Sequence, residues 1–120
     1  MASDSIPGID PAVPPSGTGC VECLAGKDAG WWLHLRRCMQ CGHIGCCDTS
    51  PSQHASLHAK EAGHPYISSF EPGENWFYSY PDDAYLDGKF ELAPPNSHPY
   101  SQPVPAPEEN LPPNWQDMLH

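Results

Sequence analysis

The stretch Cys38-Met39-Gln40-Cys41-Gly42-His43-Ile44-Gly45-Cys46, followed by His54, His58 and His64, decides how this protein folds. Cys38 and Cys41 are spaced as two thiolates must be to close on one tetrahedral zinc. A second pair of the same spacing, Cys20-Val21-Glu22-Cys23, precedes them with 14 residues between. His54 and His58 are four apart, so on a helix they share one face. Five of the six thiols and three of the five imidazoles within residues 20–64 are thereby candidate donors. Eight donors make two tetrahedral sites, and spacing leaves their division open. Cys20, Cys23, Cys38 and Cys41 can form one four-thiolate site, or the ligands can interleave.

Composition explains why metal is needed. Leu, Ile, Val and Phe total 18 of 120 residues, the formal charge is −10, and there are 16 prolines. Such a composition sits with disordered sequences, yet there are also four Trp, six Cys and seven His. The reading that reconciles these is a thin core stapled by metal. No run approaches the roughly 18 apolar residues of a membrane span. The start, Met1-Ala2-Ser3-Asp4-Ser5, has neither the basic nor the apolar region of a secretory signal. A reducing, cytoplasmic setting is expected, in which cysteines read as ligands and not disulfides. Five basic residues against a pI near 4.8 argue against general nucleic-acid binding.

Residues 1–19 and 93–120 hold 12 of the 16 prolines and no Lys or Arg, and read as disordered tails. Residues 20–92 read as the domain. Within it, Trp31 to Arg36 has strand spacing, with Trp31, Leu33 and Leu35 on one face. Ser50 and Pro51 predict a helix start, the helix running to about Ala62 with Gly63 as its cap. Tyr66–Phe70 and Asn75–Tyr80 read as strands, the second placing Trp76, Tyr78 and Tyr80 on one face and Phe77 on the other. Asp87-Gly88 predicts a hairpin joining Tyr85-Leu86 to Lys89–Leu92. Near the end, Trp115, Met118 and Leu119 share one face of a short helical turn over 114–119. That turn forms only if its apolar face docks, because nucleation is costly.

The run from Cys38 through Cys46, with His54-Ala55-Ser56-Leu57-His58 and His64, resembles the UBP-type zinc finger. This is the domain of ubiquitin-specific proteases and of a ubiquitin-binding histone deacetylase. The resemblance runs from Cys20 to about Leu92 and is to a short stand-alone bacterial-type member. Trp32-Leu33-His34-Leu35 is similar to the family's strand before the second knuckle, and Tyr78-Ser79-Tyr80 to its aromatic strand. It implies an α+β fold, a small twisted antiparallel sheet with one main helix. It also implies two interleaved structural zincs: Cys20, Cys23, Cys46 and His54 on one, Cys38, Cys41, His58 and His64 on the other. Four protein ligands each leave no position for a reactive water.

The resemblance further implies a pocket for the free C-terminus of a polypeptide, carried onto Trp32, Tyr78, Tyr80 and Asp83. Where the family has an Arg after the zinc cysteine, this sequence reads Cys46-Cys47-Asp48. An anion there argues against binding the ubiquitin tail. The expected function is a monomeric, non-enzymatic module that recognises a peptide or protein partner away from membranes. The alternative is a redox or zinc-responsive sensor using Cys46 and Cys47. His34 and His43 are left without a ligand role.

Overall fold

A computed structural model describes residues 8–87 and 90–120. Its centre is a five-stranded antiparallel sheet in the order β2-β1-β3-β4-β5. The strands are β1 (Leu35–Cys38), β2 (Ile44–Cys46), β3 (Tyr66–Ser69), β4 (Phe77–Ser79) and β5 (Ala84–Tyr85). A one-turn helix α1 (Val21–Leu24) precedes the sheet, and α2 (His54–Ala62) lies between β2 and β3.

β1 begins at Leu35, later than the expected start at Trp31. The reason lies in where the preceding backbone groups go. Trp32 exchanges both hydrogen bonds with Ala106, N–H to O at 2.8 Å and the return at 3.1 Å. The Leu33 amide donates to Ser50 Oγ at 2.9 Å. Ser50 is thereby buried and does not start the helix. That helix begins at His54 instead, after Gln53 in the left-handed conformation at φ 53°. At its other end Gly63 is the cap, with φ 71° and its amide on the Ala59 carbonyl.

The helix lies close on the sheet because Gly45 has no side chain: a Cβ there would stand 2.7 Å from the Ala55 nitrogen. The core is thin, as expected. One buried cluster joins Cys20, Cys23 and Cys46 to Trp32, Leu35, Ile44, Phe70 and Ala106. Three of its eight members are cysteines, so the zinc-binding thiols are part of the packing itself.

The expected hairpin at Asp87-Gly88 is not the one that closes the sheet. Gly88 and Lys89 lie outside the described residues, and Phe90–Leu92 form no strand. β4 instead pairs with β5, Tyr78 opposite Tyr85, across a turn in which the Asp83 amide donates to Tyr80 O. Phe90 packs edge-on against Phe77, ring centres 4.9 Å apart.

The stretches expected to be tails lie along the domain where described. Arg37, fully buried on β1, supplies the anchor. Its Nη1 donates to Pro95 O and Asn96 Oδ1, and its Nη2 to Val13 O and Ala93 O, all within 3.2 Å. The Asp10 and Ser16 amides donate to Met39 O and Gly42 O. Trp115 opens a 3-10 turn, Trp115–Met118, and sits edge-on to Trp31 at 6.2 Å. The orphan carbonyls of the knuckle and the four Nη donors of a buried guanidinium provide hydrogen-bond partners that composition cannot reveal.

Candidate metal centres and aromatic cavity

The structure brings the eight donors together in two groups, each within 4.8 Å: Cys20, Cys23, Cys46 and His54; and Cys38, Cys41, His58 and His64. The first knuckle is α1 itself, with the Cys23 amide pointing at Cys20 Sγ at 3.5 Å. Cys46 ends β2, and His54 opens α2, its amide donating to Cys46 Sγ at 3.2 Å. Cys38 ends β1, with Cys41 in the turn before β2. His58 lies one turn along α2 from His54, and His64 follows the Gly63 cap. Thus one helix face serves both sites and ties them together.

The donor geometry fits zinc. Two donors on one tetrahedral ion, sulfur at about 2.3 Å and nitrogen at about 2.0 Å, stand about 3.5 Å apart. His54 Nδ1 stands 3.2, 3.3 and 3.5 Å from the sulfurs of Cys20, Cys23 and Cys46. A single nitrogen cannot hydrogen-bond three sulfurs at once, but it can share a metal with them. In the other group, His64 Nδ1 is 3.3 Å from Cys38 Sγ and His58 Nε2 is 3.3 Å from Cys41 Sγ. The two clusters fit two zinc ions.

The thiols also need a cation. Sharing hydrogen bonds with Cys23 and Cys46 pulls Cys20 down to about 2. The same sharing pushes Cys23 up, and Cys46 up to about 12. Thiolates packed this closely repel one another, and a zinc ion offsets that repulsion. Burial, with His43 and His64 nearby, drops His58 to about 4, leaving it neutral as a ligand must be. With zinc bound, three thiolates give the first site a charge of −1 and two give the second 0.

Residues outside the donor set orient it. His54 Nε2 stands 2.7 Å from Asp28 Oδ2, a carboxylate that fixes the ring with Nδ1 toward the metal. Burial lowers the affinity of this imidazole for a proton, but the bonds to Asp28 and Cys20 outweigh it, so its pKa is raised. His43 stacks on His58 with centres 3.9 Å apart and planes at 5°, and its Nε2 meets Glu22 at 2.8 Å. Glu22 from one knuckle and His43 from the other therefore join the two sites. His34 meets Glu71 at 3.1 Å. The sequence marks neither Asp28 nor Glu71: both act on partners 26 or more residues away.

The expected pocket is assembled differently. Asp48, Tyr78 and Tyr80 line one cavity of about 220 Å³ together with Arg36, Trp76 and Tyr85. Trp32 is not part of it. That ring is buried at 3% exposure and lines a separate cleft with Leu24, Pro103 and Pro107, because the Ala106 pairing holds it there. Asp83 joins through Tyr78, whose hydroxyl donates to its carboxylate. Trp76, Tyr78 and Tyr80 do share a face, with Phe77 on the other side against Phe90. The cation of the cavity is Arg36, its Cζ 4.6 Å from the centre of the Trp76 ring.

A small antiparallel sheet, one main helix and two four-donor zinc clusters define a zinc finger of mixed α+β type. Residues 20–91 match the family described as the Zn-finger in ubiquitin-hydrolases and other protein, and the protein belongs to that family, the UBP-type zinc fingers. The solution NMR structure of a protein from Rhodopseudomonas palustris is similar, with 41% sequence identity and a TM-score of 0.57. The match covers 78% of the sequence described here and 85% of the Rhodopseudomonas protein. No curated protein sequence matches. No helix among the described residues is long and apolar enough to cross a membrane.

Proposed function

We propose that this protein is a non-enzymatic, zinc-stabilised module that recognises a peptide or protein partner through the cavity formed by β1, β3, β4, β5 and the segment after β2. The observation that carries this reading is the cavity itself. Four aromatic rings line it with an Arg and an Asp. Tyr85 is 67% exposed although it lies in a paired strand. Exposed aromatics beside an Arg are the groups from which binding energy is most often drawn. Both zinc sites have four protein donors, which supports a structural role for the metal.

Asp48 at the cavity argues against the ubiquitin tail as the ligand. The thiolate ligands fit a reducing cytoplasm, and the protein acts as a monomer. The thiol-sensor reading has less support: Cys46 and Cys47 are both buried at 3% exposure or less.

Tyr85→Ala tests the reading, because its side chain is exposed and its loss leaves the zinc core intact. A partner captured by the wild-type protein is lost with Tyr85→Ala at unchanged zinc content. Equal capture by both proteins contradicts the proposal.

A further inference from the structure

The polar groups of the cavity are unequal in what they can offer a ligand. Asp48 is exposed, and its carboxylate only accepts hydrogen bonds. No cation lies within ion-pair distance of it among the described residues. The Tyr78 hydroxyl donates its proton to Asp83, which leaves its oxygen only lone pairs to present. Asp83 is held for this in the left-handed conformation, φ 47°, uncommon for a residue with a side chain. The one cation, Arg36, is held by the protein itself: Nη1 donates to Leu35 O at 3.0 Å and the guanidinium lies over Trp76.

The remaining wall is mostly aromatic, completed by Cys47, Thr49 and Ile67. Tyr78 meets Tyr80 and Tyr85 edge-on, each pair with centres 5.5 Å apart, and Trp76 meets Tyr85 at 5.6 Å. Ring faces attract cations. Two carboxylates, Asp48 and Asp83, stand against one guanidinium, Arg36, so the balance of charge here is negative. Its bond to Asp83, with Asp48 nearby, pushes Tyr78 up to about 12. Burial and Asp48 push Tyr80 up despite Arg36. The protein as a whole adds a net charge of −10, which steers basic partners toward it.

Resting on the peptide-recognition reading, we infer that this cavity takes a cationic side chain, a lysine or arginine of a basic partner peptide, with Asp48 as its counter-ion and the tyrosine rings as its walls. The ligand's N–H groups donate to the Asp48 carboxylate, and its charge supplies the ion pair that Asp48 lacks among the described residues. The aliphatic stem of such a side chain lies along the rings, as long basic side chains do on apolar surfaces.

The test is NMR titration of the zinc-loaded, full-length protein with three blocked peptides. Two are acetyl-Gly-Lys-Gly-amide and acetyl-Gly-Arg-Gly-amide. The third is acetyl-Gly-Gly-Gly with a free carboxylate. Asp48→Asn and Arg36→Gln are compared with wild type, both checked for zinc content. The expected result is that a basic peptide shifts Trp76, Tyr78, Tyr80 and Tyr85 resonances, and that Asp48→Asn weakens it by about tenfold while Arg36→Gln, which removes the like charge of the cavity, strengthens it. If the triglycine carboxylate binds and Arg36→Gln abolishes it, the cavity is a peptide site for an anion and the cationic assignment is overturned. If no peptide moves the cavity while Tyr85→Ala still abolishes partner capture, the cationic assignment alone is overturned. If partner capture is insensitive to Tyr85→Ala as well, the recognition reading falls with it.

Discussion

The Asp28 carboxylate stands 2.7 Å from His54 Nε2, on the side of the ring opposite the three cysteine sulfurs. Such a contact fixes which nitrogen carries the proton and which faces the metal. Replacing the outer partner of a zinc-binding imidazole costs roughly 10–100-fold in metal affinity. Asp28→Ala is therefore expected to weaken one of the two zincs by that factor and leave the other unchanged. Competition with a chromophoric chelator reads the two affinities separately. Two unchanged affinities would show that Asp28 does not orient His54.

Glu71 is the second buried anchor. Its Oε1 meets His34 at 3.1 Å, its Oε2 meets His98 at 3.0 Å, and the Leu35 amide donates to Oε2 at 3.0 Å. His98 reaches it from the C-terminal stretch. Burial pushes the Glu71 carboxyl up, but the bonds from His34 and Leu35, with the His98 ring alongside, outweigh it, and its pKa lies below the ordinary carboxylate value. A depressed folded pKa gives stability that is present above the unfolded carboxylate value and lost as pH falls through the folded one. Glu71→Gln is expected to cost about 3 kcal/mol at neutral pH. Its difference from wild type in urea unfolding should shrink as pH falls below the ordinary carboxylate range. Comparing the two proteins cancels the acid release of zinc that both share. A difference independent of pH would contradict the assignment.

Trp115 ties the C-terminal end to the domain through Trp31, and the His120 amide adds a bond to Thr49 O at 2.9 Å. An edge-on aromatic pair contributes about 1 kcal/mol beyond its burial. Trp115→Ala is expected to free residues 111–120 without unfolding residues 20–91. Backbone ¹⁵N relaxation checks this: low order parameters should appear there in the variant only. The same low values in wild type would show that Trp115 anchors nothing.

What the sequence made legible was local. The two knuckles announce themselves by spacing, His54 and His58 by one helical turn, the Gly63 cap by residue type, and the face shared by Trp76, Tyr78 and Tyr80 by alternation. The rest depends on contacts between residues far apart in sequence. Trp32 has strand spacing, yet its backbone pairs with Ala106, 74 residues later. Nothing periodic in either stretch records the other. Ser50-Pro51 has the chemistry of a helix start, but the Leu33 amide claims the Ser50 hydroxyl. Arg36 reaches the cavity through the β1–β3 register, in which it lies opposite Ser69, and no local pattern records that place. The division of eight donors between two metals came from family resemblance, since spacing permits two divisions.

Zinc is expected to be a condition of folding. A structural zinc site contributes on the order of 10 kcal/mol, more than the few kcal/mol a thin core of this size supplies alone. Chelation of both ions should collapse the dispersed NMR spectrum of residues 20–91, and elemental analysis should find two zincs per folded molecule. One zinc per molecule, or a dispersed spectrum after complete chelation, would contradict this.

The most direct test of the interleaved metal centres is ¹H–¹¹³Cd correlation NMR on the cadmium-substituted protein, which names each ligand by its coupling to the metal. Two cadmium resonances are expected. One should couple to the β-protons of Cys20, Cys23 and Cys46 and to the ring of His54, the other to Cys38 and Cys41 and to the rings of His58 and His64. A resonance coupled to Cys20, Cys23, Cys38 and Cys41 together, or a single resonance for the whole protein, would contradict it.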